Sequence, residues 1–348
     1  MAKNYNFLFF SFNDLFALQK LPGNLVKMEK TKIKLSIVIL NWNTKELLKQ
    51  CLESVVRCLV LSDRETKKKT TNTQPPVPKT EIIVVDNNSS DSSVKMIEEM
   101  MMGTTRIKST TGITGIKLIR NKKNLGYAMG NNVGIKAADG EYIMILNTDT
   151  FVKKDSIEKL IDFLDVNKNV DIVGPRLLNS DGTPQANCGR FPDLLVSAVM
   201  LFKEHFGGSK LVRFSPKESQ LVDWLMGSAF VARKKVFEKI GGFDEKIFMY
   251  MEEIEWFYRA KKTGFKTYFL KDAEIIHLGR GSSKSGKKEP ILNIYKGLIY
   301  FYKKHKSLPE LVILRLMLKF KALAAFLLGF LSNNRYLKET YGEAFKLN

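Results

Sequence analysis

Polar residues able to do chemistry stand at the carboxyl ends of short apolar runs in this chain. Asn41-Trp42-Asn43 follows Leu35–Leu40, and Asp86 through Asp91 follows Glu81–Val85. Asn147-Thr148-Asp149 follows Glu141–Leu146. Carboxylates in such places can hold a divalent cation through oxygen. One cluster alone is weak, because Asp, Asn and Ser after a strand are ordinary turn and cap chemistry. Asp91 reads that way, whereas Asp86 lies at the strand end before the turn begins. The three together carry more, since ligands of open α/β sheets sit at the carboxyl ends of the strands. Glu252-Glu253 opens a helical pattern. Acidic residues in a first turn favour the helix dipole, and Glu255 reads so. His277, one of three histidines, ends an apolar run before Gly279-Arg280-Gly281-Ser282-Ser283. A lone histidine is more often structural than a ligand.

The elements that must position these residues are legible in outline. Leu35–Leu40, Glu81–Asp86, Ile116–Ile119 and Glu141–Leu146 read as buried parallel strands. Helical patterns follow from Thr44, its expected N-cap, then over Ser92–Met102, Tyr127–Ala138 and Asp155–Val166. This alternation predicts a doubly wound, mainly parallel sheet. Residues 62–80 and 103–115 read as mobile loops, and Asp171–Val173 as a strand. Short strands and turns follow to about Gly242. Glu252–Thr263 is expected to be a helix, and Thr267–Leu270 and Ala273–His277 two strands. Helices are expected over Ile291–Lys304 and Leu308–Leu331. No G-x-x-x-x-G-K-[ST] loop and no G-x-G-x-x-G after the first strand occurs, so a bound nucleotide must be held another way.

Composition narrows the class without choosing it. Hydrophobic residues are 44% and aromatics 11%, which excludes a wholly disordered chain. Cys51, Cys58 and Cys188 can form neither a disulfide framework nor a C-x-x-C zinc site. A reducing compartment fits. Lys+Arg 56 against Asp+Glu 36 gives a net charge of +20, which favours an anionic partner. The longest apolar run, Ala322–Leu331, is about half of the ~20 residues a spanning helix needs. Phe7–Phe10 is broken by Asn13 and Asp14 and lacks a cleavage site, so no signal peptide is expected. Residues 1–27 read as a dispensable extension or a misassigned start.

Taken in order, Ser36–Asn43, Val84–Asp91, Arg120–Asn132, Asn147–Asp149, Phe248–Glu255 and His277–Ser283 resemble family 2 glycosyltransferases. The resemblance covers about residues 33–285 and is nearest the rhamnosyltransferase-like and galactofuranosyltransferase-like branch. It implies a GT-A fold: an α/β, Rossmann-like, doubly wound and mainly parallel sheet with C-terminal helices. It also implies a nucleotide-sugar donor, Mn²⁺ or Mg²⁺, and inversion at the anomeric carbon. Residues 1–32 are then an N-terminal extension, 33–285 the catalytic domain and 286–348 a helical region.

The resemblance assigns roles. Asp149 and His277 match the metal ligands. Asn147 stands where the family often has Asp, and suits sugar or ribose contact as well as metal contact. Asp86 matches the carboxylate that accepts the ring N–H of uracil or thymine, with Asn41 and Trp42 flanking. For Trp42 a place in the core is an equal alternative. Asn124, Gly126 and Asn132 would let the donor approach a helix N-terminus, although Gly126 and Gly130 can serve helix–sheet packing alone. Arg280, Ser282 and Ser283 would hold the diphosphate. Trp224, Gly227 and Ser228 match the acceptor side, with a buried core place equally open for Trp224. Glu253 matches the base, one methylene longer than the family's Asp, with Glu252 as the fallback.

The expected protein is therefore an inverting, metal-dependent glycosyltransferase of cell-surface polysaccharide synthesis. It moves a sugar to a glycan or lipid-linked glycan, with dTDP-rhamnose the leading donor and UDP-galactofuranose or another UDP-hexose the alternative. A nucleic-acid-binding protein is the rival from another class, and no readout motif supports it. A catalytically dead scaffold is the other. Leu308–Leu331 carries Arg315 and Lys319 on one face and Lys321 away from them. It suits packing on the catalytic domain, a dimer, or an anionic membrane; the lipid-linked acceptor favours the last. A cytoplasmic protein, peripheral at the inner face of the membrane, is the expectation.

Overall fold

The computed structural model describes residues 32–69, 79–104, 113–203, 212–279 and 288–347. Those from Ile33 onward belong to one compact unit. Its first half alternates β1 (Leu35–Asn41), α1 (Lys45–Lys69), β2 (Thr80–Asp86), α2 (Ser93–Thr104), β3 (Ile113–Arg120), α3 (Gly126–Lys136) and β4 (Tyr142–Asn147). Next come β5 (Thr150–Val152), α4 (Ser156–Val166), β6 (Ile172–Leu178), β7 (Cys188–Gly189) and α5 (Leu194–Lys203). Then follow β8 (Arg213–Phe214), β9 (Gln220–Leu221), β10 (Trp224–Leu225), β11 (Ala229–Arg233), α6 (Lys234–Ile240), α7 (Glu252–Lys262) and β12 (Thr267–His277). The chain closes with α8 (Lys288–His305), α9 (Leu308–Leu331) and α10 (Arg335–Lys346).

The main sheet runs β3-β2-β1-β4-β11-β6-β12-β5, with β9 beside β12. β1 and β2 are β-branched runs buried almost throughout, as strands covered on both faces must be. The β3-β2-β1-β4 half is parallel, as is β6–β12. β11 runs antiparallel between β4 and β6. A mixed, mostly parallel sheet results. Register then fixes the site. Asn41 lies opposite Asp86, and Leu40 opposite Asn147. Ala229 pairs with Leu146, which sets Ser228 beside Asn147. His277 pairs with Thr150, just past Asp149.

Several local expectations change. Residues 62–69, read as loop, continue α1, because Arg, Glu and Lys are good helix formers. Residues 70–78 and 105–112 lie outside the described residues, as do residues 1–31. β3 begins at Ile113, inside the second expected loop. The two expected strands over 267–277 are one, with a register shift between Leu270 and Glu274 that accommodates Lys271-Asp272-Ala273. Thr44 holds the N-cap position of α1, its carbonyl accepting from Leu48 N at 2.8 Å, but its hydroxyl is used elsewhere. Its hydroxyl bonds Asn41 Oδ1 at 2.8 Å and Thr148 Oγ1 at 2.9 Å. Asp91 does the side-chain capping, accepting from Lys45 N at 2.8 Å and Ser93 N at 3.1 Å. The three cysteines are buried, and no disulfide joins them.

A second apolar cluster joins α5, Met251 and the last three helices around Tyr295, Phe301, Tyr302, Leu314 and Leu318. Its polar link to α7 is Glu255. That side chain is fully buried, and its two oxygens accept from Arg259 Nε at 3.0 and 2.9 Å. Oε1 also accepts from Lys304 at 2.7 Å and meets His305 Nε2 at 3.0 Å. Burial pushes its pKa up, but the His305 bond, the Arg259 charge and the Lys304 bond outweigh it and hold it below the usual range. Glu255 lies in the first turn of α7 as its expected helix-dipole role requires, and it adds a buried ionic tie.

Glu255→Gln removes the carboxylate that pairs with Arg259 and one of the two that pair with Lys304, the other being Asp244. It should cost on the order of 2 kcal/mol or more in urea unfolding at neutral pH, discounted because Lys304 is 34% exposed. A depressed carboxylate stabilises above its unfolded pKa. The gap between wild type and variant should therefore close as pH falls below about 4.5.

Candidate active site

Glu252 and Glu253 are delivered by an unusual turn. Tyr250 and Met251 have φ of 66° and 74°, both left-handed and neither glycine. Such residues cost about 1–3 kcal/mol each and persist where the surroundings over-determine them. Here Met251 is 4% exposed and fills the space above Gly297 of α8, where an added Cβ would lie 2.7 Å from its Cγ. The two following carboxyls enter the site side by side. Glu252 is 4% exposed. Oε2 of each has no hydrogen-bond partner among the described residues.

Their electrostatics separate the pair. Burial, then repulsion from Glu253, pushes Glu252 well above the ordinary carboxylate value. Burial also raises Glu253, but backbone amides and the Arg213 charge oppose it. Two adjacent buried carboxyls cannot both ionise cheaply. Glu252 therefore keeps its proton more readily, and Glu253 is the one better able to carry charge.

Asp149 and His277 form the second pair, with His277 Nε2 3.4 Å from Asp149 Oδ1. Both are buried. Gln185 fixes the imidazole. Its amide nitrogen donates to Asn179 Oδ1 at 2.9 Å and to the His277 carbonyl at 3.1 Å. Its Oε1 is thereby turned to His277 Nδ1, at 2.7 Å. An acceptor there assigns the proton to Nδ1 and leaves the Nε2 lone pair facing a carboxylate. Lone pair against carboxylate is repulsive unless a cation or proton lies between them. The pair thus fits a divalent ion bound by one oxygen and one imidazole, with its orienting partner in place. Among the described residues no group of three or more His, Cys, Asp or Glu side chains could hold a metal. Remaining ligands would have to come from substrate and water.

Both pairs line one cleft of about 1680 Å³, together with Asn147, Gly227, Ser228, Tyr127, Gln185 and Arg213. Tyr127 Oη lies 2.9 Å from Asn147 Oδ1 and 2.7 Å from the Gly227 carbonyl. That ties the β4 end to the start of β11. Ser228 Oγ is buried with no partner among the described residues. Trp224 borders the cleft but is 3% exposed, and its indole N–H donates to the Arg190 carbonyl at 2.8 Å. It is a core tryptophan.

Other expected residues lie elsewhere. Asn41 and Asp86, 0% and 2% exposed, are not among the residues lining the cleft, and the Asn41 amide donates to Asp86 Oδ1 at 2.8 Å. Trp42, 41% exposed, stands beside them outside the core. Asn124 closes a turn by accepting from Gly126 N at 2.9 Å. Gly126, at φ +79°, approaches Phe248 so closely that a Cβ would lie 2.6 Å from its ring. Gly130 packs on Leu40 in the same manner, 2.6 Å. The next amide, Tyr127 N, donates to the Phe248 carbonyl at 2.7 Å. The opening of α3 is thus engaged by protein. Asn132 spends its amide on Phe243, both N and O at 2.8 Å, and on Glu245 at 3.0 Å. It pins the loop before α7. Arg280, Ser282 and Ser283 lie outside the described residues.

Tyr127, Gln185 and Arg213 were not singled out from the sequence. Tyr127 lies within the Arg120–Asn132 segment. Gln185 and Arg213 come from the irregular stretch after β6, where no periodicity signals position.

This cleft at the carboxyl edge of a mixed, mostly parallel sheet defines a GT-A glycosyltransferase. The model of the family described as glycosyl transferase family 2 matches residues 36–254, and the chain belongs to that family. It is 32% identical over 168 residues to the low-salt glycan biosynthesis hexosyltransferase Agl10 of Haloferax volcanii, covering 47% of this chain and 52% of that one. It is 27% identical over 180 residues to an N-acetylglucosaminyl-diphospho-decaprenol L-rhamnosyltransferase of Mycobacterium tuberculosis, covering 47% and 58%. The matches thus span little more than half the length of these relatives. In fold it resembles GalNAc-T7, solved with UDP, GalNAc and Mn²⁺, at a TM-score of 0.52 and 16% identity, over 79% of this chain and 50% of that one.

The buried Glu252 gives a stability prediction. A carboxyl whose folded pKa is raised stabilises fully below its unfolded value near 4.5 and loses that contribution as pH rises through the folded value. Glu252→Gln cannot ionise. Its melting temperature should match wild type near pH 4 and exceed it by about 2–4 °C near pH 8, as scanning calorimetry would read.

Proposed function

We propose that the chain transfers a 6-deoxyhexose, rhamnose first, from a pyrimidine nucleotide diphosphate to a glycan or lipid-linked glycan hydroxyl, with inversion. The observation that carries this reading is the common cleft of the Asp149–His277 pair and the Glu252–Glu253 pair. The likeness to an L-rhamnosyltransferase supports rhamnose.

Asp149 and His277 would hold Mn²⁺ or Mg²⁺, the imidazole oriented by Gln185. A bound divalent ion would offset the negative charge that grows on the departing diphosphate. Arg213, at the same cleft, adds a fixed positive charge. Glu253 accepts the acceptor's hydroxyl proton as the oxygen lone pair bonds the anomeric carbon. The bond from that carbon to the diphosphate oxygen breaks, and its electron pair leaves with the nucleotide. Glu252, protonated, spares Glu253 a neighbouring charge. Asn147 and Ser228 border the path of the sugar. The base would meet the exposed Trp42 ring at the carboxyl ends of β1 and β2, where Asp86 is only 2% exposed. Each Asp86 oxygen accepts one internal bond, from Asn41 or from Ser89 N, and retains a lone pair for a pyrimidine N–H. We place the enzyme in the cytoplasm, in synthesis of surface polysaccharide.

The test is release of nucleotide from a panel of nucleotide sugars with Mn²⁺, Mg²⁺ or chelator. dTDP-rhamnose should be consumed fastest, and chelator should abolish turnover. Asp149→Ala and His277→Ala should each weaken Mn²⁺ binding at least about tenfold by electron paramagnetic resonance while remaining folded. Preference for a UDP-hexose would move the donor assignment. Full metal binding in either variant would remove that residue from the site.

A further inference from the structure

α9 is apolar on two opposite sides. Leu311, Leu314, Leu318 and Ala322 are buried against α5, α8 and α10. At 100° per residue, Leu316, Phe320, Leu323 and Leu327 fall within about 60° of one another on the far side. They are 63%, 66%, 45% and 51% exposed. Val312 and Phe330 extend the stripe at 47% and 69%. It runs along most of a 24-residue helix, roughly 36 Å, and presents roughly 600 Å² of apolar surface, the upper end for a monomer's largest patch. A contiguous patch of that size is often functional.

We propose that this face of α9 docks side-on to an anionic lipid bilayer. Charge decides the occupant. No Asp or Glu occurs between Leu311 and Leu331, and Arg315 and Lys319 border the stripe. Neither has a carboxylate partner among the described residues; Lys319 lies over the Phe345 ring, 5.8 Å from its centre. Long basic stems beside an apolar stripe place leucine and phenylalanine in the acyl boundary and cations among the headgroups. A second copy fits worse. It would bring another net +20 and a matching basic edge, with no acidic residue on the face to neutralise either.

The face also adjoins the cleft. Val199 and Met200 of α5 line the cleft, and Phe202 of α5 meets Phe320 with ring centres 6.2 Å apart. A lipid-linked acceptor would have one helix to pass from bilayer to base. The docking itself does not depend on the donor or the chemistry proposed above, and its test needs no sugar nucleotide.

The test is flotation of the full chain with phosphatidylglycerol/phosphatidylcholine vesicles. Wild type should float, and bind at least about tenfold less to pure phosphatidylcholine or at high salt. Leu316→Gln/Phe320→Gln/Leu327→Gln should lose binding at least about tenfold with an unchanged melting temperature. Phe320→Trp keeps the face apolar, and the emission of the introduced indole should shift to the blue when anionic vesicles are added. Absence of flotation, or no blue shift in the Phe320→Trp variant, would overturn the proposal. So would a concentration-dependent dimer in sedimentation that the triple variant abolishes, without vesicle binding.

Discussion

Two adjacent carboxyls held out of water, at the first turn of α7, set the demands that the rest of the fold answers. Glu252 and Glu253 repel one another, and each presents an oxygen with no partner among the described residues. The arrangement is costly, and the left-handed Tyr250-Met251 turn that delivers it adds to the cost. α7 must therefore be anchored firmly. Trp256 is sandwiched among Phe230, Phe237 and Phe257, and its N–H donates to the Gly241 carbonyl at 2.9 Å. Glu255 ties the same helix to α8, while Met251 is pressed against Gly297. The C-terminal helices thus stabilise the geometry of the cleft as well as covering its back.

Much of this was legible in the sequence because buried parallel strands demand continuous β-branched runs. Leu35–Leu40 and Glu81–Val85 announced β1 and β2, and their register made separate polar ends neighbours. The bounds of α9 were legible too, since Ser307 and Glu310 form a capping box at its start and Pro309 stands in its first turn. What escaped was set by long-range pairing. β11 is a short apolar run that local pattern cannot orient, and only its ladders to β4 and β6 make it antiparallel. Gln185 gains meaning only because β12 returns beside β6. α10, from Arg335 to Lys346, was not anticipated; its apolar positions are few and its packing on α9 supplies the order.

Polar side chains near a cleft proved hardest to assign from sequence. Asn124, Gly126 and Asn132 share a motif with Tyr127, yet the first three shape the loops and helix start while the tyrosine reaches the cleft. Asn and Gly serve turns and close packing as readily as they serve ligands, so residue type alone does not separate the roles. Composition had the same limit. A net charge of +20 admits several anionic partners. The geometry gives two of its cations a place, Arg213 at the cleft and Arg315 beside the apolar stripe of α9.

In the proposed chemistry Glu253 accepts the proton while Glu252 keeps its own. Single-turnover rates of Glu253→Gln and Glu252→Gln, with donor, acceptor and divalent metal saturating, test this division most directly. Glu253→Gln should slow the chemical step about 10²-fold or more and leave donor affinity nearly unchanged, whereas Glu252→Gln should retain most of the rate. Normal turnover by Glu253→Gln, with loss in Glu252→Gln, would contradict the assignment and move the base by one residue.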